Sequence, residues 1–115
     1  QIKNYDFVFV HIKPTDIFGE NGDFENKKKF IEKIDTAIDS LEESGATICV
    51  TADHSTPCVM KDHSTDPVPV LIYKERQEGQ EETEGSEKFG ENECKKGSLG
   101  EIEGKDLLKI LFDDN

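Results

Sequence analysis

The sequence predicts an α/β fold: a βαβ-based domain with a mostly parallel sheet. Two β-branched, apolar runs, residues 5–12 and 47–52, flank a long stretch whose apolar residues recur at helical spacing. A crossover of this kind is right-handed in nearly all cases, so the two strands run parallel and finish at the same edge of the sheet. A third apolar run, residues 68–73, extends the same sheet.

Residues 5–12 (Tyr-Asp-Phe-Val-Phe-Val-His-Ile) are aromatic and β-branched and predict a buried strand. Residues 13–23 hold Pro14, Gly19 and Gly22 and predict a loop. Asp23 is placed to cap the next helix, with Asn26 three positions on in place of the ideal Glu. Phe30, Ile31, Ile34, Ala37, Ile38 and Leu41 form one stripe of an amphipathic helix over residues 24–44, and Gly45 is its stop. After the strand at 47–52 comes a polar loop, residues 53–66. In the third strand Pro67 and Pro69 remove ladder donors, which suits an edge or a strand start. Residues 77–87 contain no apolar side chain and are expected to be a mobile surface loop. Residues 89–104 are Gly-rich and irregular, and residues 105–112 predict a short helix with an apolar face. The expected organisation is one partial domain: a metal-site core over 1–73, an acidic loop over 74–98 and a C-terminal segment over 99–115.

Composition narrows the function classes. With 115 residues there is room for one modest core. The net charge of -12 supplies no basic footprint for nucleic acid and would be repelled by an anionic membrane. No run approaches the length of a membrane span, and no signal peptide is visible. Cys49, Cys58 and Cys94 form an odd set without CxxC spacing, so free thiols in a reducing cytoplasm are expected. The chain opens on Gln1 and not on Met, which raises an upstream part as an expectation.

All three histidines, His11, His54 and His63, fall in or just after strand ends, with carboxylates close in sequence. Ligands of α/β proteins collect outside the carboxyl ends of the strands. Asp53-His54 is a compact pair of metal-binding groups, and a carboxylate with an imidazole suits Zn or Mn while the carboxylate also tolerates Mg. Asp16 and Glu20 lie four apart in the first loop, and His63 lies on the loop returning from His54. Together they could fill most of two metal shells, and a two-metal site polarises a phosphoryl oxygen and stabilises its entering and leaving oxygens. Lys13 adds a positive contact for a substrate phosphate. His11 reads as a hydrogen-bonding neighbour that orients a ligand. Blander readings stand beside these: Asp16 as a turn cap, Asp53 as an N-cap, Glu20 and His63 as solvated loop residues.

The motifs Asp6-Phe-Val-Phe-Val-His-Ile-Lys-Pro-Thr-Asp16, Val50-Thr-Ala-Asp-His-Ser-Thr-Pro-Cys58, Lys61-Asp-His-Ser-Thr-Asp-Pro-Val-Pro69 and Gly97-Ser-Leu-Gly-Glu-Ile-Glu-Gly-Lys-Asp-Leu107 together resemble the C-terminal portion of the archaeal-type, cofactor-independent phosphoglycerate mutases, in the alkaline phosphatase superfamily. The resemblance covers nearly the whole chain apart from the acidic loop. It implies the C-terminal part of an alkaline-phosphatase-like metalloenzyme domain, acting in glycolysis and gluconeogenesis on 2-phosphoglycerate and 3-phosphoglycerate. It implies two divalent metal ions (Mn, Zn or Mg) and no 2,3-bisphosphoglycerate. One metal falls to Asp16 and His63, the other to Asp53 and His54. At Glu20 the family normally has His, and a carboxylate there favours harder ions such as Mn or Mg over Zn.

The family's nucleophilic Ser has no counterpart here, since Ser55 and Ser64 read as loop residues. The chain is therefore expected to be inactive until a missing N-terminal part completes it, and to self-associate through apolar surface that part would cover. Rival readings are a metal-dependent phosphatase or phosphopentomutase-like enzyme, and a non-catalytic acidic metal-binding or interaction module.

Overall fold

The computed structural model describes residues 4–74 and 88–112. The predicted acidic loop at 77–87 lies outside the described residues. The chain divides into two units: residues 1–46 with 54–66, and residues 47–53 with 67–115.

The first unit is built on two helices. Helix α1 spans Pro14–Glu20, where a loop was expected. Pro14 sits at its first position, where the fixed φ of proline is pre-organised for a helix and its missing N–H costs nothing. Asp16 lies in the first turn, where a negative charge complements the helix dipole. Gly22, at φ 68°, turns the chain into the next helix.

Helix α2 spans Phe24–Glu42, close to the predicted range. Asp23 caps it as the sequence indicated: its carboxylate accepts from the Asn26 backbone N–H at 3.2 Å and from the Asn26 side chain at 2.7 Å. Gly45, at φ 76°, follows the last turn. Phe30, Ile34 and Ile38, spaced by four, form the half-buried stripe of α2. Phe18 of α1 meets Phe30 edge-on, with ring centroids 6.1 Å apart.

Residues 5–12 form no strand, contrary to expectation. A strand exists only through a hydrogen-bonded neighbour, and none of the described segments pairs with this one. Its side chains face solvent: Phe9 is 78% and Val10 70% exposed.

The second unit holds strands β1 (Ile48–Val50) and β2 (Leu71–Tyr73). They pair antiparallel, with Ile48 opposite Tyr73 and Val50 opposite Leu71. The expected parallel pairing of 5–12 with 47–52 is thus absent among the described residues, and the observed pair joins the second and third predicted strands. The Thr51 hydroxyl donates to the Pro69 carbonyl at 2.9 Å and extends the pairing. Cys49 is half-buried in β1, and burial pushes its thiol pKa up, as befits a small packing residue. All three cysteines are free thiols. Helix α3 (Glu91–Cys94) is a single turn, and a 3-10 turn over Gly104–Asp106 leads into α4 (Leu107–Phe112), matching the predicted terminal helix. No helix among the described residues is long and apolar enough to cross a membrane.

Candidate metal centre

Two segments of the first unit bring the site together. The start of α1 supplies Asp16. The loop from His54 to Asp66 folds back on itself through an isolated antiparallel bridge between Ser55 and Ser64, with the Ser64 N–H donating to the Ser55 carbonyl at 3.0 Å. Side chains alternate across such a pairing, so residues flanking the bridged pair share one face. That alternation puts His54, Thr56 and His63 on the face opposite Ser55 and Ser64. The two imidazoles lie against each other, with ring centroids 3.8 Å apart and planes 31° from parallel.

Both rings aim Nε2 at the same Asp16 oxygen. His63 Nε2 is 3.5 Å and His54 Nε2 4.0 Å from Asp16 Oδ1. Ligand atoms from Asp16, His54 and His63 all lie within 4.8 Å of one another. A carboxylate and two imidazoles make a donor set suited to first-row divalent ions. Because α1 is helical, Asp16 and Glu20 stand one turn apart on one face, and Glu20 Oε1 reaches within 3.6 Å of His63 Nε2. The residues present therefore fit a divalent cation.

Asp16 is the electrostatic anchor. Lys13 Nζ donates to its Oδ2 at 2.5 Å, and the Thr56 hydroxyl donates to its Oδ1 at 2.7 Å. These two hydrogen bonds, Lys13 first, hold its carboxyl at a pKa of about 2 against the raising effect of burial. Asp16 is only 12% exposed, and the two hydrogen bonds keep it ionised in spite of that burial. Lys13, the expected contact for a substrate phosphate, is 56% exposed and pairs with Asp16.

His11 is exposed and stands outside the group of Asp16, His54 and His63. Asp53 is exposed and belongs to the second unit. Ser64 donates to Asp66 Oδ2 at 2.7 Å, a loop-bracing role for that hydroxyl.

Thr56 also belongs to the site. Thr56 is 5% exposed, the buried polar side chain among the described residues, and its hydroxyl lies 3.1 Å from His54 Nδ1 as well as bonding Asp16. Its carbonyl accepts from Lys27 Nζ of α2 at 2.9 Å. Gly19 of α1 passes so close that an added Cβ would meet the Thr56 carbonyl oxygen at 2.4 Å. A threonine within a loop motif carries no sequence signal for such a position.

Comparisons with known proteins identify the family of the chain. The pattern of the metalloenzyme superfamily matches residues 1–114. The 2,3-bisphosphoglycerate-independent phosphoglycerate mutase of Pyrococcus abyssi is 44% identical over 97% of the chain, and the phosphoglycerate mutase 1 of the same type from Archaeoglobus fulgidus is 47% identical over 97%. In each case the match spans 27% of the relative's own length. A solved structure of a Pyrococcus horikoshii protein superposes with a TM-score of 0.86 at 41% identity, covering 97% of this chain and 34% of that one.

Proposed function

The chain belongs to the metalloenzyme superfamily, and from that premise we propose that it supplies metal-binding groups to a 2,3-bisphosphoglycerate-independent phosphoglycerate mutase. The observation that carries this reading is the convergence of Asp16, His54 and His63 within 4.8 Å, in a chain 44% identical to a mutase of that name.

In this reading Asp16, His54 and His63 hold one divalent ion, with Glu20 beside them. Asp53 contributes to a second. The bound ions would supply Lewis-acid stabilisation of a phosphoryl group in transfer. The chain's own residues prepare for this. Asp16 is kept ionised by Lys13 and Thr56, and the stacked imidazoles turn their Nε2 atoms toward it. Glu20 adds a hard oxygen donor, which favours Mn or Mg over Zn.

The Ser55 and Ser64 hydroxyls both bond to Asp66 within the loop, and in this reading a further part of the enzyme supplies the hydroxyl that accepts the phosphoryl group. The chain by itself is expected to show no turnover. The test is product analysis with the full-length protein, Mn²⁺ and 3-phosphoglycerate. Conversion to 2-phosphoglycerate without added 2,3-bisphosphoglycerate supports the mutase. Release of free phosphate would instead support a metal-dependent phosphatase.

A further inference from the structure

We propose that Thr56 is a positioning residue that fixes the tautomer of His54, placing the ring proton on Nδ1 and leaving the Nε2 lone pair for a cation. The Thr56 hydroxyl has one proton and two close partners, Asp16 Oδ1 at 2.7 Å and His54 Nδ1 at 3.1 Å. An ionised carboxylate can only accept. The hydroxyl proton therefore goes to Asp16, and the hydroxyl oxygen is left as an acceptor. His54 Nδ1 must then be the donor. In a neutral imidazole only one nitrogen carries a proton, so Nε2 is the bare one. That nitrogen is the one turned toward Asp16 Oδ1, at 4.0 Å.

The relay Nδ1–H to Oγ1 to Oδ1 thus does two things with one hydroxyl. It orients the imidazole, and it strengthens the hold on the carboxylate. Thr56 can do this because its own backbone is pinned: Lys27 Nζ holds its carbonyl at 2.9 Å, and the bare Cα of Gly19 lets α1 approach that carbonyl. Its burial keeps water from replacing either bond. Hydrogen-bonding neighbours of this kind typically change metal affinity by about 10–100-fold. The consequence for cation binding rests on the metal reading of the cluster; the relay itself does not.

The test uses the metal-stripped, full-length protein with isotope-labelled histidine in mildly alkaline buffer. NMR of the ring nitrogens, assigned by loss of signal in His54→Asn, reports the tautomer directly. The wild-type ring is expected in the Nδ1–H form, a measurement that needs no folded variant at Thr56. Thr56→Val, of matching shape, is expected to lose that preference and to weaken Mn²⁺ binding by about 10–100-fold in calorimetry, while Thr56→Ser retains both. A wild-type proton on Nε2 would overturn the proposal. So would a folded Thr56→Val protein with tautomer and Mn²⁺ affinity unchanged. An Nδ1–H ring in a wild-type protein that binds no Mn²⁺ would overturn the metal reading, and with it the ligand-positioning role.

Discussion

Both oxygens of the Asp16 carboxylate are already engaged, one by Lys13 and one by Thr56, and this sets how the site responds to pH. Its folded value of about 2 lies below the ordinary 3.8. A carboxyl depressed by folding contributes stability above its unfolded value and loses it as pH falls through the folded one. The window for Asp16 therefore runs from about pH 4 down to about pH 2. Lys13→Met should raise the Asp16 midpoint toward 3.8, read by NMR titration of the carboxyl; an unmoved midpoint would show that Lys13 does not hold it. Glu20 offers a second residue-scale test. Glu20→His replaces a hard oxygen beside His63 with an imidazole, so competition binding should shift toward Zn²⁺ over Mn²⁺. An unchanged preference would remove Glu20 from the metal environment. At this scale the residue types of Asp16, His54 and His63 marked them as candidate ligands, but the grouping was not legible: the sequence pairs His54 with Asp53 and Asp16 with His63, whereas the structure draws Asp16, His54 and His63 into one cluster. Thr56 was not marked, because its role depends on burial and on two partners, one of them far away in sequence.

Helix α1 meets the loop that carries Thr56 through a contact that only glycine permits, and Lys27 of α2 bonds the same Thr56 carbonyl. Gly19→Ala would drive a methyl group into the Thr56 carbonyl oxygen, 2.4 Å away, and backbone cannot yield as a flexible side chain would. Overpacking of this kind costs about 1–3 kcal/mol. The variant should unfold at lower denaturant and bind Mn²⁺ more weakly, because Thr56 moves with the clash. Wild-type values for both would mean that the close approach is not maintained in solution. Asp23→Ala should cost about 1 kcal/mol through loss of the α2 cap, with metal binding unchanged. The cap and stripe of α2 could be read directly from Asp23, Asn26 and the spacing of Phe30, Ile34 and Ile38. Helix α1 could not: it is 7 residues long, too short to show a period, and Gly19 reads as a turn until its packing is seen. Strand formation at 5–12 depends on a neighbour that sequence-local reasoning takes for granted.

Among the described residues no hydrophobic side chain is fully buried, and Tyr5, Phe7, Phe9 and Val10 stand exposed along one short run. The chain spans 27% of the length of the mutases it resembles. The isolated 115-residue chain should then self-associate, one copy covering the apolar run of another; a strictly monomeric species at high concentration in sedimentation would argue against it. The proposed function depends most on one cation lying among Asp16, His54 and His63. Anomalous diffraction at the manganese edge, from crystals of the full-length protein grown with Mn²⁺, measures this directly. A peak is expected at coordination distance, about 2.0–2.3 Å, from an Asp16 oxygen and from Nε2 of His54 and His63. Strong manganese peaks elsewhere, with this cluster empty, would contradict it.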